Sequence, residues 1–210
     1  MTVTSIPVTL ELPPSLSPRS EGIHVSSIIR CIATETGILK PEWAEELSLS
    51  DTRSITDPVA VLRISIGLAW EEFYISRILE KEGIVDHPGE MECDGIYLTH
   101  DAESLSVIIT DKKKIHAVVI HEIKATYKSV KTVRDLRDQW MWMAQVKAYC
   151  KAAGTRFAQM HVLFLCGDYT YPIKPMLCRW SIEFTQAELD SNWELLTDYR
   201  DHRLAMEAEI

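Results

Sequence analysis

Hydrophobic and polar positions recur with two different periods along the chain, and these periods predict its elements. Asp57-Pro58 has the pattern of an N-cap followed by proline in the first helical turn, and a helix is predicted from there to about Lys81. Other helices are predicted at 26–34, 132–154 and 186–207. Apolar runs between turn residues predict strands at 91–98, 104–110, 115–124, 160–166 and 178–184. The order of helix, three-strand meander, helix and strand predicts an α/β protein with a mixed central sheet flanked by helices.

The predicted elements belong to one domain. Residues 1–22 contain four prolines and show little helical periodicity, which predicts an extended N-terminal arm. Residues 23–210 are predicted to fold as a single domain, because a chain of 210 residues is of ordinary size for one hydrophobic core.

Charged side chains interrupt the apolar faces of two predicted strands. With a side-chain period of two, Glu122 and Lys124 share a face with Val118 and Ile120, and Asp94 has a similar position on the earlier strand. A charge on a buried face is costly unless it is paired or bound to a metal. Two converging carboxylates can hold a hard divalent cation, and a lysine beside them can orient or deprotonate an attacking water. The alternative is a solvated strand face without chemistry.

Two predicted helices add further candidates. Glu71 occupies one slot of an apolar stripe, whose other members are Ile64, Leu68, Ile75 and Ile78. A glutamate there either pairs with a buried cation or lies at the edge of the stripe and reaches water. In the second long helix, Gln145 and Tyr149 lie one turn apart on a face with Trp142, a pattern that simple amphipathic packing also explains.

Together these positions resemble the PD-(D/E)xK nuclease superfamily, in particular its RecB-like and phage-exonuclease-like branch. The matching motifs, within residues 58–166, are Gly67-Leu68-Ala69-Trp70-Glu71, Cys93-Asp94-Gly95, Glu122-Ile123-Lys124 and Gln145-Val146-Lys147-Ala148-Tyr149. Cys93 stands where the superfamily name has proline, and Met91 stands where glycine is common. Glu71 replaces a common histidine and still offers an oxygen ligand that suits magnesium. The resemblance implies a restriction-endonuclease-like core with the order α-β-β-β-α-β.

The resemblance also implies a role for each matching residue. The implied ligands of a Mg²⁺ or Mn²⁺ ion are Asp94, Glu122, the backbone carbonyl of Ile123 and, directly or through water, Glu71. Lys124 would position the hydrolytic water and stabilise the charge that develops at phosphorus. Gln145 and Tyr149 would line the pocket and hold the DNA strand or the lysine. His121, on the opposite face of its strand, is expected to be packed or hydrogen-bonded instead.

Charge is distributed unevenly along the chain. The net charge of −9 argues against a nucleic-acid partner. The segment from Lys112 to Arg137, however, contains eight Lys and Arg residues and only two acidic residues, which gives it a local charge of +6. A basic segment around a candidate site fits local capture of a polyanion. Lys128 and Lys131 follow the Glu-x-Lys strand and are predicted to contact phosphates, although a solvated loop explains the basic residues equally well.

Cysteine usage and apolar runs bear on the compartment. The five cysteines are widely spaced without a Cys-x-x-Cys pair, which favours reduced thiols and argues against a four-cysteine iron–sulfur cluster. No apolar run reaches the length of a membrane span, and the N-terminus lacks the pattern of a signal peptide. The expected location is cytoplasmic (the host cytoplasm if the protein is phage-encoded), with no membrane partner.

The favoured hypothesis is a metal-dependent deoxyribonuclease, an exonuclease or end-processing enzyme of DNA recombination, repair or phage DNA metabolism. DNA is the expected partner, and a homo-oligomer or a partner recombination or assembly protein is compatible with it. One alternative is a nuclease-fold binding or assembly subunit with a weak or idle metal site. Another is an unrelated α/β domain whose motif matches are accidental.

Overall fold

The computed structural model describes residues 20–40, 58–83, 88–110 and 113–208. The predicted arm at 1–22 lies outside the described residues, apart from its last three. The first two helices are α1 (Val25–Glu35) and α2 (Pro58–Tyr74). Helix α2 continues through a π-helical turn (Ile75–Leu79) into the short α3 (Glu80–Glu82), so the long helix predicted from residue 58 is present.

Four strands form a mixed sheet. In spatial order they are β3 (Ala102–Thr110), β4 (Lys113–Thr126), β5 (Phe157–Phe164) and β6 (Met176–Glu183). The two outer pairs are antiparallel, whereas β4 and β5 are parallel and need a crossover connection. The crossover contains α4 (Trp140–Ala152), and α5 (Gln186–Ala208) follows the last strand. The prediction of a mixed sheet flanked by helices is confirmed.

The strand predicted at 91–98 is instead a separate hairpin. Strand β1 (Glu90–Cys93) pairs with β2 (Ile96–Thr99), and neither strand joins the four-stranded sheet. Asp94 and Gly95 form the turn, with φ values of 50° and 74°. Asp-Gly favours a two-residue turn in which both central residues have positive φ, and this local chemistry reverses the chain. The predicted three-strand meander is therefore wrong in its first strand.

The second long helix begins later than predicted. Asp135 accepts a hydrogen bond from the amide of Arg137 at 2.9 Å, but it caps only a short 3₁₀ turn (Leu136–Asp138). Helix α4 starts after that, at Trp140. Val133 and Leu136 are buried, and the segment before α4 packs its apolar side chains against the core without forming a regular helix.

Alternate residues of β4 face two different cores. Ile120 packs into the larger core, which α1, α4 and α5 cover. Ile123 faces the other side and packs with Ala102 and with Tyr74 of α2. Strand β3 begins to pair at Ala102, so residues 122–126 of β4 have no neighbour on that side among the described strands. This free edge lets side chains from both faces of the sheet approach the end of β4.

Candidate active site

Glu122 is a carboxylate inside the larger core. It shares the face of Ile120 and is 0% exposed. The Lys124 ammonium contacts Oε1, and neither oxygen accepts any other hydrogen bond from the described residues. Burial, and then the charge of Asp101, raise the pKa of Glu122 to about 7 against the opposing effect of Lys124. A buried carboxylate with so little compensation is costly to the fold and marks a candidate functional group.

Lys124 brings a positive charge to this carboxylate. Its side chain is a quarter exposed and lies on the same face of β4. Burial disfavours the charged form of Lys124, but the charges of Glu122 and Asp101 outweigh burial and raise its pKa. Lys124 is therefore an ammonium at neutral pH, suited to stabilising negative charge and orienting water, and poorly suited to removing a proton.

Asp101 is a second acid of the cluster, and the sequence analysis missed it. It immediately precedes β3, and its Oδ2 accepts a hydrogen bond of 2.5 Å from the amide of Ile123. Burial raises the pKa of Asp101 to about 7, with Lys124 opposing the rise and Glu71 adding to it. The available signal was an Asp directly before an alternating strand, but the segment Thr99 to Asp101 has the composition of a turn.

Glu71 reaches the same cluster from α2. Burial is the main cause that raises the pKa of Glu71 to about 7, and the charge of Glu122 adds to it while Lys124 opposes it. Its place on an apolar stripe therefore reflects a position between helix and sheet, close to other charged groups. Glu71, Asp101 and Glu122 all interact electrostatically with one lysine.

Asp94, predicted as a metal ligand and catalytic residue, lies elsewhere. Its Oδ2 accepts a hydrogen bond of 2.8 Å from the indole nitrogen of Trp193, and its carbonyl accepts one from Arg200. Both partners belong to α5, and Asp94 is exposed at the hairpin turn. The assignment is corrected because the Asp-Gly turn removes Asp94 from the sheet. The carboxylate next to Glu122 and Lys124 is that of Asp101.

Gln145 and Tyr149 contact each other on α4. The Nε2 of Gln145 donates to the hydroxyl of Tyr149 at 2.6 Å, and Tyr149 is buried. The ring of Tyr149 lies 5.9 Å from that of His100, measured between centroids. Because His100 precedes Asp101, this contact supports the backbone from which the Asp101 carboxylate projects. Ile123, whose backbone carbonyl is a predicted metal ligand, lies between Glu122 and Lys124 on β4, and its side chain is buried.

The two lysines predicted to contact phosphates follow β4. The Nζ of Lys128 donates to Gln139 at 2.6 Å and lies 5.0 Å from the centroid of the Trp142 ring. Burial lowers the pKa of Lys128. Lys131 is also exposed and forms an ion pair of 3.0 Å with Asp168. The positions are compatible with phosphate contacts, and that role stays a prediction.

A buried hydrogen-bond network occupies the reverse face of β4. His121 bonds Ser104 at 2.8 Å and His161 at 3.0 Å, and Tyr74 and Arg179 both contact the other ring nitrogen of His161. Burial is the main cause that lowers the pKa of His121 to about 4 and that of His161 to about 3. Both rings are therefore neutral at pH 7. This network holds β4 on the face opposite Glu122 and Lys124, and His121 is hydrogen-bonded as expected.

The cluster provides oxygen ligands and a cation, but they are not preassembled around one point. Within the described residues, no three His, Cys, Asp or Glu side chains converge closely enough to coordinate one ion. The Lys124 ammonium instead occupies the position beside Glu122. Carboxylate oxygens such as those of Glu122 are hard ligands of the kind that magnesium and manganese prefer.

Comparison with known proteins shows the fold. No protein-family model and no curated protein sequence matches the chain significantly. The crystal structure of LHK-Exo, an alkaline exonuclease from Laribacter hongkongensis, matches 88% of this chain and 89% of that chain, with a TM-score of 0.51 and 13% identity. LHK-Exo in complex with dAMP matches over the same shares, with a TM-score of 0.51 and 12% identity. The chain thus shares the fold of LHK-Exo. None of its described helices is long and apolar enough to cross a membrane.

Proposed function

We propose that this protein is a divalent-metal-dependent deoxyribonuclease that hydrolyses phosphodiester bonds, as an exonuclease or end-processing enzyme of DNA recombination, repair or phage DNA metabolism. The proposal rests on the ion pair of Glu122 with Lys124 and on the hydrogen bond that Asp101 accepts from the amide of Ile123 between them, with the Glu71 carboxylate interacting electrostatically with Glu122 and Lys124. When all three carboxylates are ionised, three negative charges face one positive charge. Binding of one divalent cation would balance the cluster.

Each residue has a part that its position supports. Asp101 and Glu122 would hold Mg²⁺ or Mn²⁺ through carboxylate oxygens, and Glu71 would complete the set from α2. When bound, the ion supplies Lewis-acid polarisation of the phosphodiester. Lys124, kept charged by its acidic neighbours, would orient the attacking water and stabilise the negative charge that develops at phosphorus.

Two further observations support the nuclease proposal. The fold is that of an alkaline exonuclease, a protein that has also been crystallised with the nucleotide dAMP. Five of the eight basic residues between Lys112 and Arg137 lie at the end of β4 or after it in the sequence, in a chain whose net charge is −9: Lys124, Lys128, Lys131, Arg134 and Arg137. Such local charge favours capture of a polyanion at the site.

The decisive experiment compares two aspartates. End-labelled linear DNA and circular DNA are incubated with the parent protein, Asp101→Asn and Asp94→Asn, with magnesium, with manganese and with EDTA. Asp101→Asn should lower the cleavage rate by more than the roughly 10- to 100-fold that loss of an outer-shell partner of a metal ligand costs. Asp94→Asn is the matched control and should cleave like the parent, because Asn tolerates positive φ and can still accept the Trp193 hydrogen bond. Cleavage of linear DNA alone would indicate an exonuclease.

A second candidate function is a nuclease-fold binding or assembly subunit with an idle site. The observation in its favour is the contact of Lys124 with Glu122, which occupies the place where an ion would bind. DNA binding without cleavage in any metal would support this candidate. Cleavage that Lys124→Ala removes would exclude it.

A further inference from the structure

Arg63 and Tyr127 form an exposed pair next to the candidate active site. The guanidinium carbon of Arg63, on α2, lies 5.8 Å from the centroid of the Tyr127 ring. Tyr127 is 41% exposed, so part of its surface stays open. Arg63 is exposed and forms no ion pair with a carboxylate of the described residues. We call the two side chains the Arg63–Tyr127 platform.

Two segments of the chain limit the distance between this platform and the carboxylate cluster. Tyr127 comes three residues after Lys124, which is about 10 Å along an extended strand. Arg63 comes eight residues before Glu71, which is about 12 Å along a helix. The backbone of Tyr127, just past the end of β4, therefore lies within about 10 Å of that of Lys124, a span of about three stacked nucleotides at roughly 3.4 Å each.

The platform is also held in a fixed position. The hydroxyl of Tyr169 donates to the carbonyl of Tyr127. The next residue, Lys128, lies 5.0 Å from the Trp142 ring centroid and hydrogen-bonds Gln139. The segment after β4 is therefore attached to α2 through Tyr127 and to α4 through Lys128. Because α2 also carries Glu71, the aromatic ring keeps its distance from the cluster.

We infer that the Arg63–Tyr127 platform binds an unpaired DNA strand that leads to the carboxylate cluster. An aromatic ring stacks on any base, because every base has a π-face, and an arginine attracts the phosphates beside it. In a duplex the base faces are covered by neighbouring base pairs, so the platform favours single-stranded ends. This inference rests on the proposed function and adds the form of the substrate.

Fluorescence anisotropy with labelled DNA in EDTA tests the inference without turnover. The probes are an oligothymidylate that is long enough to span the platform and the cluster, a dinucleotide, and a blunt duplex. Tyr127→Ala should weaken binding of the long single strand about 5- to 150-fold, the loss expected for one stacked base. Binding of the dinucleotide and of the duplex should change little. Tyr127→Phe keeps the ring and should bind like the parent.

Charge substitutions give a second measurement. Arg63→Gln should flatten the log–log salt dependence of single-strand binding by about 0.7 for one lost phosphate contact. Arg77→Gln is the matched control, because Arg77 is also exposed but lies fourteen residues further along the same helical segment. It should leave the salt slope unchanged.

The outcomes separate this inference from the proposed function. Parent-like affinity of Tyr127→Ala for the long single strand, with DNA cleavage intact, overturns the inference alone. An equal loss of affinity for the dinucleotide and the duplex also overturns the inference, because it indicates that the substitution damaged the protein as a whole. If Tyr127→Ala selectively weakens single-strand binding in a protein that cleaves no DNA with any metal, the proposed function fails and the inference stands.

Discussion

Glu122→Gln should stabilise the metal-free protein while it abolishes cleavage. Glu122 is fully buried, and its pKa is raised from 4.5 to about 7 even with the Lys124 charge in contact. Each factor of ten in an ionisation equilibrium is about 1.4 kcal/mol, so ionising Glu122 costs roughly 3 kcal/mol more in the folded than in the unfolded chain. A neutral glutamine of the same shape avoids this cost.

The pH dependence follows from the direction of the pKa change. Between pH 4.5 and 7 the folded parent binds more protons at Glu122 than the unfolded chain, so this contribution to stability falls as pH rises. Above pH 7 the loss is complete. The stability advantage of Glu122→Gln should therefore be full at pH 8, with an upper limit of roughly 3 kcal/mol, and should disappear near pH 4.5.

Urea unfolding in EDTA, followed by circular dichroism at pH 8 and at pH 5, measures this difference. Glu72→Gln is the matched control, because Glu72 is an exposed glutamate on α2 and should change stability little at either pH. Added manganese should stabilise the parent by mass action and leave Glu122→Gln nearly unaffected. If Glu122→Gln unfolds at or below the parent's urea midpoint at pH 8, the argument from carboxylate crowding is refuted.

Three other results are expected. Glu71→His should keep part of the manganese-dependent cleavage, because imidazole also binds manganese. Glu71→Ala should lose far more of this cleavage activity. Equal activity in the parent and both variants would show that Glu71 is not part of the site. The double variant Lys128→Ala, Lys131→Ala should weaken DNA binding and flatten the log–log salt dependence of binding by about one unit per lost phosphate contact. Lys131 should contribute less than Lys128, because Lys131 already pairs with Asp168. An unchanged salt dependence would place the DNA path elsewhere. The folded-state pKa of His161 is about 3, so the unfolded chain takes up a proton at His161 as pH falls from about 6.5 toward 4 and the folded parent does not; the parent should therefore lose stability over this range. Urea unfolding of His161→Gln should show a smaller loss of stability, the difference being on the order of 3 kcal/mol at most. An equal loss in both proteins would contradict the neutral, buried state assigned to His161.

Local patterns were sufficient to predict most elements of the fold. Helix α2, strand β4 and helix α5 follow from the spacing of apolar residues. An element that buries one face needs apolar residues at the repeat of its own backbone geometry, whatever the element packs against. The position of Glu122 and Lys124 on a buried face follows equally from the period of two in a strand. The hairpin turn at Asp94-Gly95 could also have been predicted, since that dipeptide between alternating residues is a strong turn signal.

The members of the candidate site were decided by tertiary structure. Asp94 and Asp101 are both acids close to a strand; Gly95 marks Asp94 as a turn residue, but nothing in the immediate neighbours of Asp101 marks it as a member of the site. Asp101 joins the cluster because β3 begins pairing opposite His121, which brings its carboxylate to the amide of Ile123. Arg63 meets Tyr127 only because α2 packs on the sheet beside β4. Hydrophobic periodicity is a property of neighbouring residues, whereas strand register and helix docking depend on contacts between residues far apart in the chain, and those contacts decide which charges come together.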